Sequence, residues 1–327
     1  MKSKLVIAAI VFQLVALLWM ASSRELIIQT GHQVKLQTAP IDPRDLFRGD
    51  FVRLNFEMNQ LPVSFLAAHL QGKDLKKGVK LYALLDKDQH GYIQVTGLTD
   101  QVPESDKLFI GARLARKHSK RSGKQTPLKL KYGIEQYFVE QGKGLALEKK
   151  RGTRTGLQVP MIMQIALSDS GTAVLKSHDW GRVGMQLTVQ RQVNRNRGEE
   201  TQQITSGSFK LMLKNVSKKS IDLPFKPGNC SFRLVSTLTS PLQLSHKPHG
   251  CSDLIPDTKT LKPDETRFFE FDFNQPQWHV MIDGKATSIG TLKWQQRFRL
   301  VYDEIDPRAI TGTALKSRAF HGRGRID

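Results

Sequence analysis

The stretch Asp50-Phe51-Val52-Arg53-Leu54-Asn55-Phe56-Glu57-Met58 decides the fold class. Val52, Leu54, Phe56 and Met58 fall on one side of an extended chain, and Arg53, Asn55 and Glu57 on the other. Successive side chains of extended backbone point to opposite faces, so a period of two marks a half-buried strand. The pattern recurs outward from this point. Val79, Leu81, Ala83 and Leu85 alternate, as do Leu108, Ile110, Ala112 and Leu114, and then Leu128, Leu130, Tyr132 and Ile134. Polar, glycine-bearing stretches at Asp86–Gly91 and Ser168–Gly171 read as hairpin turns between such strands. One helical interruption is expected between Leu61 and Leu75, where Phe65, Leu66 and Leu70 follow Pro62 at helical spacing. The chain is expected to be mainly β.

The 327 residues suffice for two ordinary domains. With 39% apolar and 24% charged residues, most of the chain should be globular. The formal net charge of +20 favours anionic partners. The N-terminus narrows these. Lys2 and Lys4 precede an apolar run, Leu5 to Ala21, broken only by Gln13. A basic segment before an apolar core is an export signal. The run is also near the lower length for a spanning helix, roughly 17–25 residues, and Ala21 and Ser23 are small enough for a cleavage site. An uncleaved anchor and a cleaved signal both remain open. Either way the bulk of the chain, everything after Arg24, is expected outside the cytoplasm, single-pass if anchored. Export demotes nucleic acid as the partner, and none is expected. Anionic lipid or an envelope polymer takes its place.

The organisation expected is an anchor over 1–24, a β-rich barrel-like or sheet domain over 25–180, and a second β domain over 181–308. A basic flexible tail over 309–327 would follow. The blocks at 213–224, 260–273 and 296–304 alternate strand pattern with turn chemistry. They resemble the small immunoglobulin-like β-sandwiches of exported bacterial proteins.

Three blocks in the first domain carry a closer resemblance: 41–56 (IDPRDLFRGDFVRLNF), 131–148 (KYGIEQYFVEQGKGLALE) and 168–181 (SDSGTAVLKSHDWG). Together they resemble the membrane-anchored bacterial family named for its Gly-Asp-Tyr-x-x-Leu-x-Tyr motif, the GDYXXLXY family. The motif stands here as Gly49, Asp50, Phe51, Val52, Arg53, Leu54, Asn55 and Phe56, with Phe at both tyrosine positions. Asp42, Pro43, Arg44, Asp45 and Arg48 before it, and Tyr132, Gly133, Glu135, Tyr137 and Phe138 later, complete the matching set. The resemblance implies an N-terminal anchor, a β-rich extracytoplasmic domain and a polytopic membrane protein encoded nearby. It implies no catalytic residue and no cofactor.

Asp42, Asp45 and Asp50 sit among Arg44, Arg48 and Arg53. Clustered carboxylates suit acid–base chemistry or calcium, but interleaved arginines would neutralise the charge a cation needs. Turn chemistry accounts for the same residues: Asp-Pro opens a turn and Gly49 permits its corner. Glu135, in an aromatic strand, is expected to pair with Arg44 or Arg53. Arg-Gly-Asp-Phe behind an apolar segment is also similar to signal peptidases. Ser22 and Ser23, however, are not followed by Met-x-Pro, so the nucleophile such enzymes need is missing.

Cys230 and Cys251 are the only cysteines. Export favours a disulfide between them. The alternative is a zinc set of Cys230, His246, His249 and Cys251. Eight basic residues and no acid between Arg113 and Lys131 read either as a solvated loop or as a surface for acidic partners. The expected function is non-enzymatic: an anchored binding or assembly module working with an integral membrane partner or the envelope. The alternatives are an envelope-polymer hydrolase using the clustered carboxylates and a metal-binding periplasmic protein. The sequence does not set the oligomeric state.

Overall fold

The computed structural model describes residues 2–39, 51–104, 106–119, 126–152, 156–194, 201–304 and 307–326. Helix α1 (Lys2–Thr30) opens the chain. At 1.5 Å per residue it is about 44 Å long. Its apolar side chains face outward; Phe12 and Trp19 are each 76% exposed. Among the described residues it is the one helix long and apolar enough to cross a membrane or serve as a signal. The helix runs nine residues past the apolar stretch and stops at Gly31, directly before β1 (His32–Gln37). Gly31 is needed there: a Cβ would lie 2.5 Å from the Ile27 carbonyl oxygen and 2.7 Å from that of Leu167.

The remaining elements of the first half are β2 (Phe51–Arg53), β3 (Gln60–Leu61), β4 (Lys80–Lys87), β5 (Ile93–Thr99), β6 (Phe109–Leu114), β7 (Leu128–Lys131), β8 (Gln136–Phe138), α2 (Lys143–Arg151), β9 (Met161–Leu167) and β10 (Ala173–Trp180). They form three antiparallel sheets, ordered β3-β7-β6-β4-β5, β1-β9-β10 and β2-β8. The alternation seen in the sequence becomes burial. Val52, Leu54, Phe56, Met58, Leu128, Leu130, Tyr132 and Ile134 all enter one core. None of the described sheets closes into the barrel that was one expectation. The edge strand β3 has two residues, too few to carry the ladder that closure requires. The helix expected between Leu61 and Leu75 is replaced by two single 3₁₀ turns, Val63–Phe65 and Ala68–Leu70. Leu66 and Leu70 are buried between sheets, so short turns that aim individual apolar side chains inward replace a helical stripe.

A second core begins at Val183. It is built from β11 (Val183–Asn194), β12 (Thr201–Asn215), β13 (Ile221–Phe225), β14 (Phe232–Ser236), β15 (Ser245–His246), β16 (Asp257–Leu261), β17 (Thr266–Asp272), β18 (Val280–Ile282), β19 (Lys285–Thr287), β20 (Phe298–Tyr302), α3 (Pro307–Thr311), β21 (Phe320–His321) and β22 (Arg325–Ile326). The larger sheets, β11-β12-β17 and β15-β14-β20-β21-β22, meet through aromatic rings. Phe232 on β14 lies 4.8 Å from Phe269 and 5.5 Å from Phe271 on β17. Two further pairs, β13-β16 and β18-β19, stand as separate two-stranded sheets. The result is a set of small sheets rather than the two continuous layers of an immunoglobulin sandwich. β13 contains Pro224, which cannot donate to a ladder, and it pairs with β16 alone.

The segment expected to fray is folded. Leu315 and Phe320 are buried to within 1%, and β21 pairs with β20 at Phe298↔Phe320. The segment also joins the two halves. Gln37 exchanges two hydrogen bonds with the backbone of Ala314, each 3.2 Å. The Tyr92 hydroxyl donates to the Gly312 carbonyl, and Arg308 pairs with Asp88. Basic residues hid apolar ones here: net charge describes the outward side chains and says nothing of the buried ones between them.

Candidate functional site

Of the motif residues, Asp42, Pro43, Arg44, Asp45, Arg48, Gly49 and Asp50 lie outside the described residues. The others converge. β2 pairs with β8 in the register Phe51↔Phe138, Val52↔Tyr137 and Arg53↔Gln136. The ladder continues as the Leu54 N–H donates to the Glu135 carbonyl at 2.8 Å. Beyond it the chain turns at Gly133, whose φ of 82° suits glycine.

Glu135 closes that turn. Its carboxylate accepts from the backbone N–H of Tyr132 at 2.6 Å and of Gly133 at 3.0 Å. It also accepts from the Asn59 side-chain amide at 3.1 Å. The expected pairing with Arg53 is not formed: among the described residues no ion pair joins them, and Arg53 is exposed. Local N–H groups reach the carboxylate first, because the turn points them at it. Asn59 is the residue that sequence reading passed over. Its Oδ1 accepts from the Phe56 N–H at 2.7 Å, and its Nδ2 also donates to the Leu130 carbonyl at 3.1 Å. The available signal was an Asn three residues after Phe56 at a strand end, where short polar side chains bond nearby backbone. The Tyr132 hydroxyl donates to the Met58 carbonyl at 2.7 Å. Burial, and then the neighbouring Glu135, push that hydroxyl's pKa far up, so it stays protonated.

The third block meets the second. The Tyr137 hydroxyl and His178 Nδ1 lie 3.2 Å apart. His178 is edge-on to Trp180, whose ring carries Lys150 Nζ at 4.8 Å. Burial pushes the His178 imidazole below its usual pKa, with Asp179 opposing and Lys150 adding to the shift. On the outer side, Phe51 and Phe138 bring their ring centroids to 6.0 Å. Phe138 is 73% exposed and Leu145 on α2 is 75% exposed. The same helix carries Lys143, which pairs with Glu140, and Lys149 and Lys150 in its last turn.

Beside this lock lies a cleft between the two halves, a cavity of about 260 Å³ adjoining a second of about 290 Å³. Leu36, Met58, Leu61 and Val159 from the first half and Leu238 and Leu315 from the second give it an apolar floor. Its described basic residues are Arg151, Arg297, Arg299, Arg308, Lys316 and Arg318, against one acid, Glu57. Glu57 lies 3.4 Å from Lys316 Nζ and 3.8 Å from Arg299 Nε. Burial works to raise the Glu57 pKa, but Lys316 and Arg299 outweigh it and hold the carboxyl below its usual value. Arg151, 4% exposed, donates to the Arg53 carbonyl at 3.1 Å.

Cys230 and Cys251 form a disulfide with Cα atoms 5.4 Å apart. With both sulfurs bonded to each other, the zinc set with His246 and His249 does not form. His246 instead meets the Gln277 carbonyl at 2.9 Å. Among the described residues no group of His, Cys, Asp or Glu is arranged to hold a metal ion.

An apolar N-terminal helix leading straight into small antiparallel sheets, which the motif's own side chains lock together, defines a class of helix-tipped β protein. Comparison with known families then places it: the chain belongs to the GDYXXLXY protein family, whose model matches residues 13–177. The match ends within β10, so the second half lies outside it. No curated protein and no solved structure matches the chain.

Proposed function

We propose that this is a non-enzymatic binding or assembly protein, tethered to the bacterial membrane by α1 with its body outside the cytoplasm, and that it acts with an integral membrane partner or an envelope component. The observation that carries this reading is the exposed apolar pair on the motif itself. Phe138, whose ring centroid lies 6.0 Å from that of Phe51, is 73% exposed, and Leu145, on the helix that carries Lys143, Lys149 and Lys150, is 75% exposed. Exposed aromatic and aliphatic side chains with a polar rim are the usual anatomy of an interaction surface. The lysines favour an acidic extracytoplasmic loop as its partner. A hydrolase built on the motif carboxylates would have to do without Glu135, whose oxygens are taken by Tyr132, Gly133 and Asn59, and would rest on Asp42, Asp45 and Asp50, which lie outside the described residues.

The test places a photoreactive amino acid at Phe138 in the full chain in native membranes, with Ile255, 86% exposed in the other half, as the control position. A discrete adduct with an integral membrane protein is expected from position 138 alone, and Leu145→Glu should suppress it. Equal labelling from both positions, or release of envelope-polymer fragments by the purified chain, would overturn the proposal.

A further inference from the structure

We infer that the cleft between the halves binds an amphiphilic anion. A phosphate or carboxylate head would be held by Arg151, Arg299 and Lys316, with a short apolar body over Leu36, Met58 and Val159. This goes beyond the docking surface at Phe138 and does not depend on it.

Three observations carry it. The first is charge: six basic residues line the two cavities and Glu57 is the one acid among the described lining residues. Of these six, Arg308 is paired with Asp88 from outside the lining, and Arg299 and Lys316 share Glu57. The second is Arg151. Its side chain is buried and lines the cavity. Its described partner is a neutral carbonyl, and among the described residues it forms no ion pair. A buried cation is costly until an anion joins it. Burial also depresses its pKa, against the opposing pull of Glu148. The third is the floor. Leu36, Met58 and Val159 line the cavity while only 8%, 5% and 6% exposed, so an anion with a short apolar body can pack against them where a bare inorganic ion cannot. At about 260 Å³ the main cavity falls just below the roughly 300–1,000 Å³ of ordinary ligand pockets. That fits one short chain.

Glu57 acts as the resident competitor. It already engages Arg299 and Lys316, so an incoming head must displace it. This fixes opposite signs for two substitutions. Arg299→Met should weaken binding, and Glu57→Gln should tighten it, each by roughly tenfold, the worth of one charged hydrogen bond.

The experiment is isothermal titration of the full chain in phosphatidylcholine nanodiscs, with empty nanodiscs subtracted. The probes are octyl phosphate, octanoate, inorganic phosphate and octyl glucoside. Saturable binding of octyl phosphate or octanoate is expected, the tighter of the two naming the head. Inorganic phosphate should bind at least about tenfold more weakly and octyl glucoside not at all. Lys316→Arg keeps the charge and should keep binding, which guards against a variant that merely unfolds. Absence of saturable binding by both amphiphiles, equal binding of inorganic phosphate, or a Glu57→Gln chain that binds no tighter would overturn the inference. Any of these leaves the crosslinking result at Phe138 untouched, so the two readings fail separately.

Discussion

Replacing Phe320 with Ala is the sharpest test of the C-terminal segment. Its ring is fully buried. The centroid lies 4.7 Å from Phe209, 5.2 Å from Phe273 and 6.4 Å from Phe298. A buried Phe→Ala change costs about 3–5 kcal/mol through lost transfer energy and the cavity left behind. Aromatic contacts contribute roughly 0.5–1.5 kcal/mol of that beyond area. With a urea slope of about 1–3 kcal/mol per molar, the midpoint should fall by at least about 1 M. The probe is built in: Trp278 is buried in the same core, 5.3 Å from Phe273, so tryptophan fluorescence of a chain lacking residues 1–21 and carrying Trp180→Phe in every variant follows this half. Leu145→Ala, at a 75% exposed position, serves as control and should stay within about 0.5 kcal/mol. A midpoint shift under about 0.3 M for Phe320→Ala would refute the buried position and restore the reading of residues 309–327 as a loose tail.

Glu135→Gln keeps the shape of the turn but loses the charge that two backbone N–H groups bond, and should cost about 1–3 kcal/mol in the same urea titration. A neutral result would mean that the lock at Asn59 holds the turn alone. Reducing the disulfide, whose cysteines are 21 positions apart, should remove roughly 3 kcal/mol, read as a lowered melting temperature with dithiothreitol; free thiols in the untreated protein would contradict the bond. Glu57 has a folded pKa below its ordinary 4.5. Its contribution to stability is therefore complete above about pH 4.5 and lost as the pH falls through the lower folded value. Melting temperatures of Glu57→Gln and of the parent chain should converge below that window, and parallel curves from pH 7 to pH 3 would remove Glu57 from the clamp.

What could be read in the sequence was whatever repeats locally. The alternation at Val52, Leu54 and Phe56 and at Leu128 and Leu130 appears as core, since a period of two maps directly onto the two faces of a strand. The disulfide followed from cysteine count and compartment. The parts that escaped depend on residues far apart in the chain. Glu135 was expected to meet Arg44 or Arg53 because charge pairing is easily read along a sequence; Arg44 lies outside the described residues, Arg53 does not pair with it, and its described partners are N–H groups set by the Gly133 turn and an amide from Asn59, 76 positions earlier. The cleft was invisible for the same reason. Glu57 and Lys316 are separated by 259 positions, and no local pattern connects them. The exposed ring of Phe138 also escaped, since an aromatic in a strand pattern is ordinarily assigned to the core.

The contacts of residues 307–326 carry a consequence for how the protein is made. The ribosome delivers Gln37, Glu57, Asp88 and Tyr92 more than two hundred residues before the segment that holds them. During synthesis the first half can pack its own core, while the second half still lacks the strand carrying Phe320. Closure of the halves is then a late event with very long loops to draw in, which is slow compared with local pairing. Until it happens, the apolar floor of the cleft and the open sheet edge at β20 are accessible to proteases and chaperones. A chain clipped within this segment loses in one cut the Phe320 strand of the second core and the contacts to Gln37, Asp88 and Tyr92 in the first half.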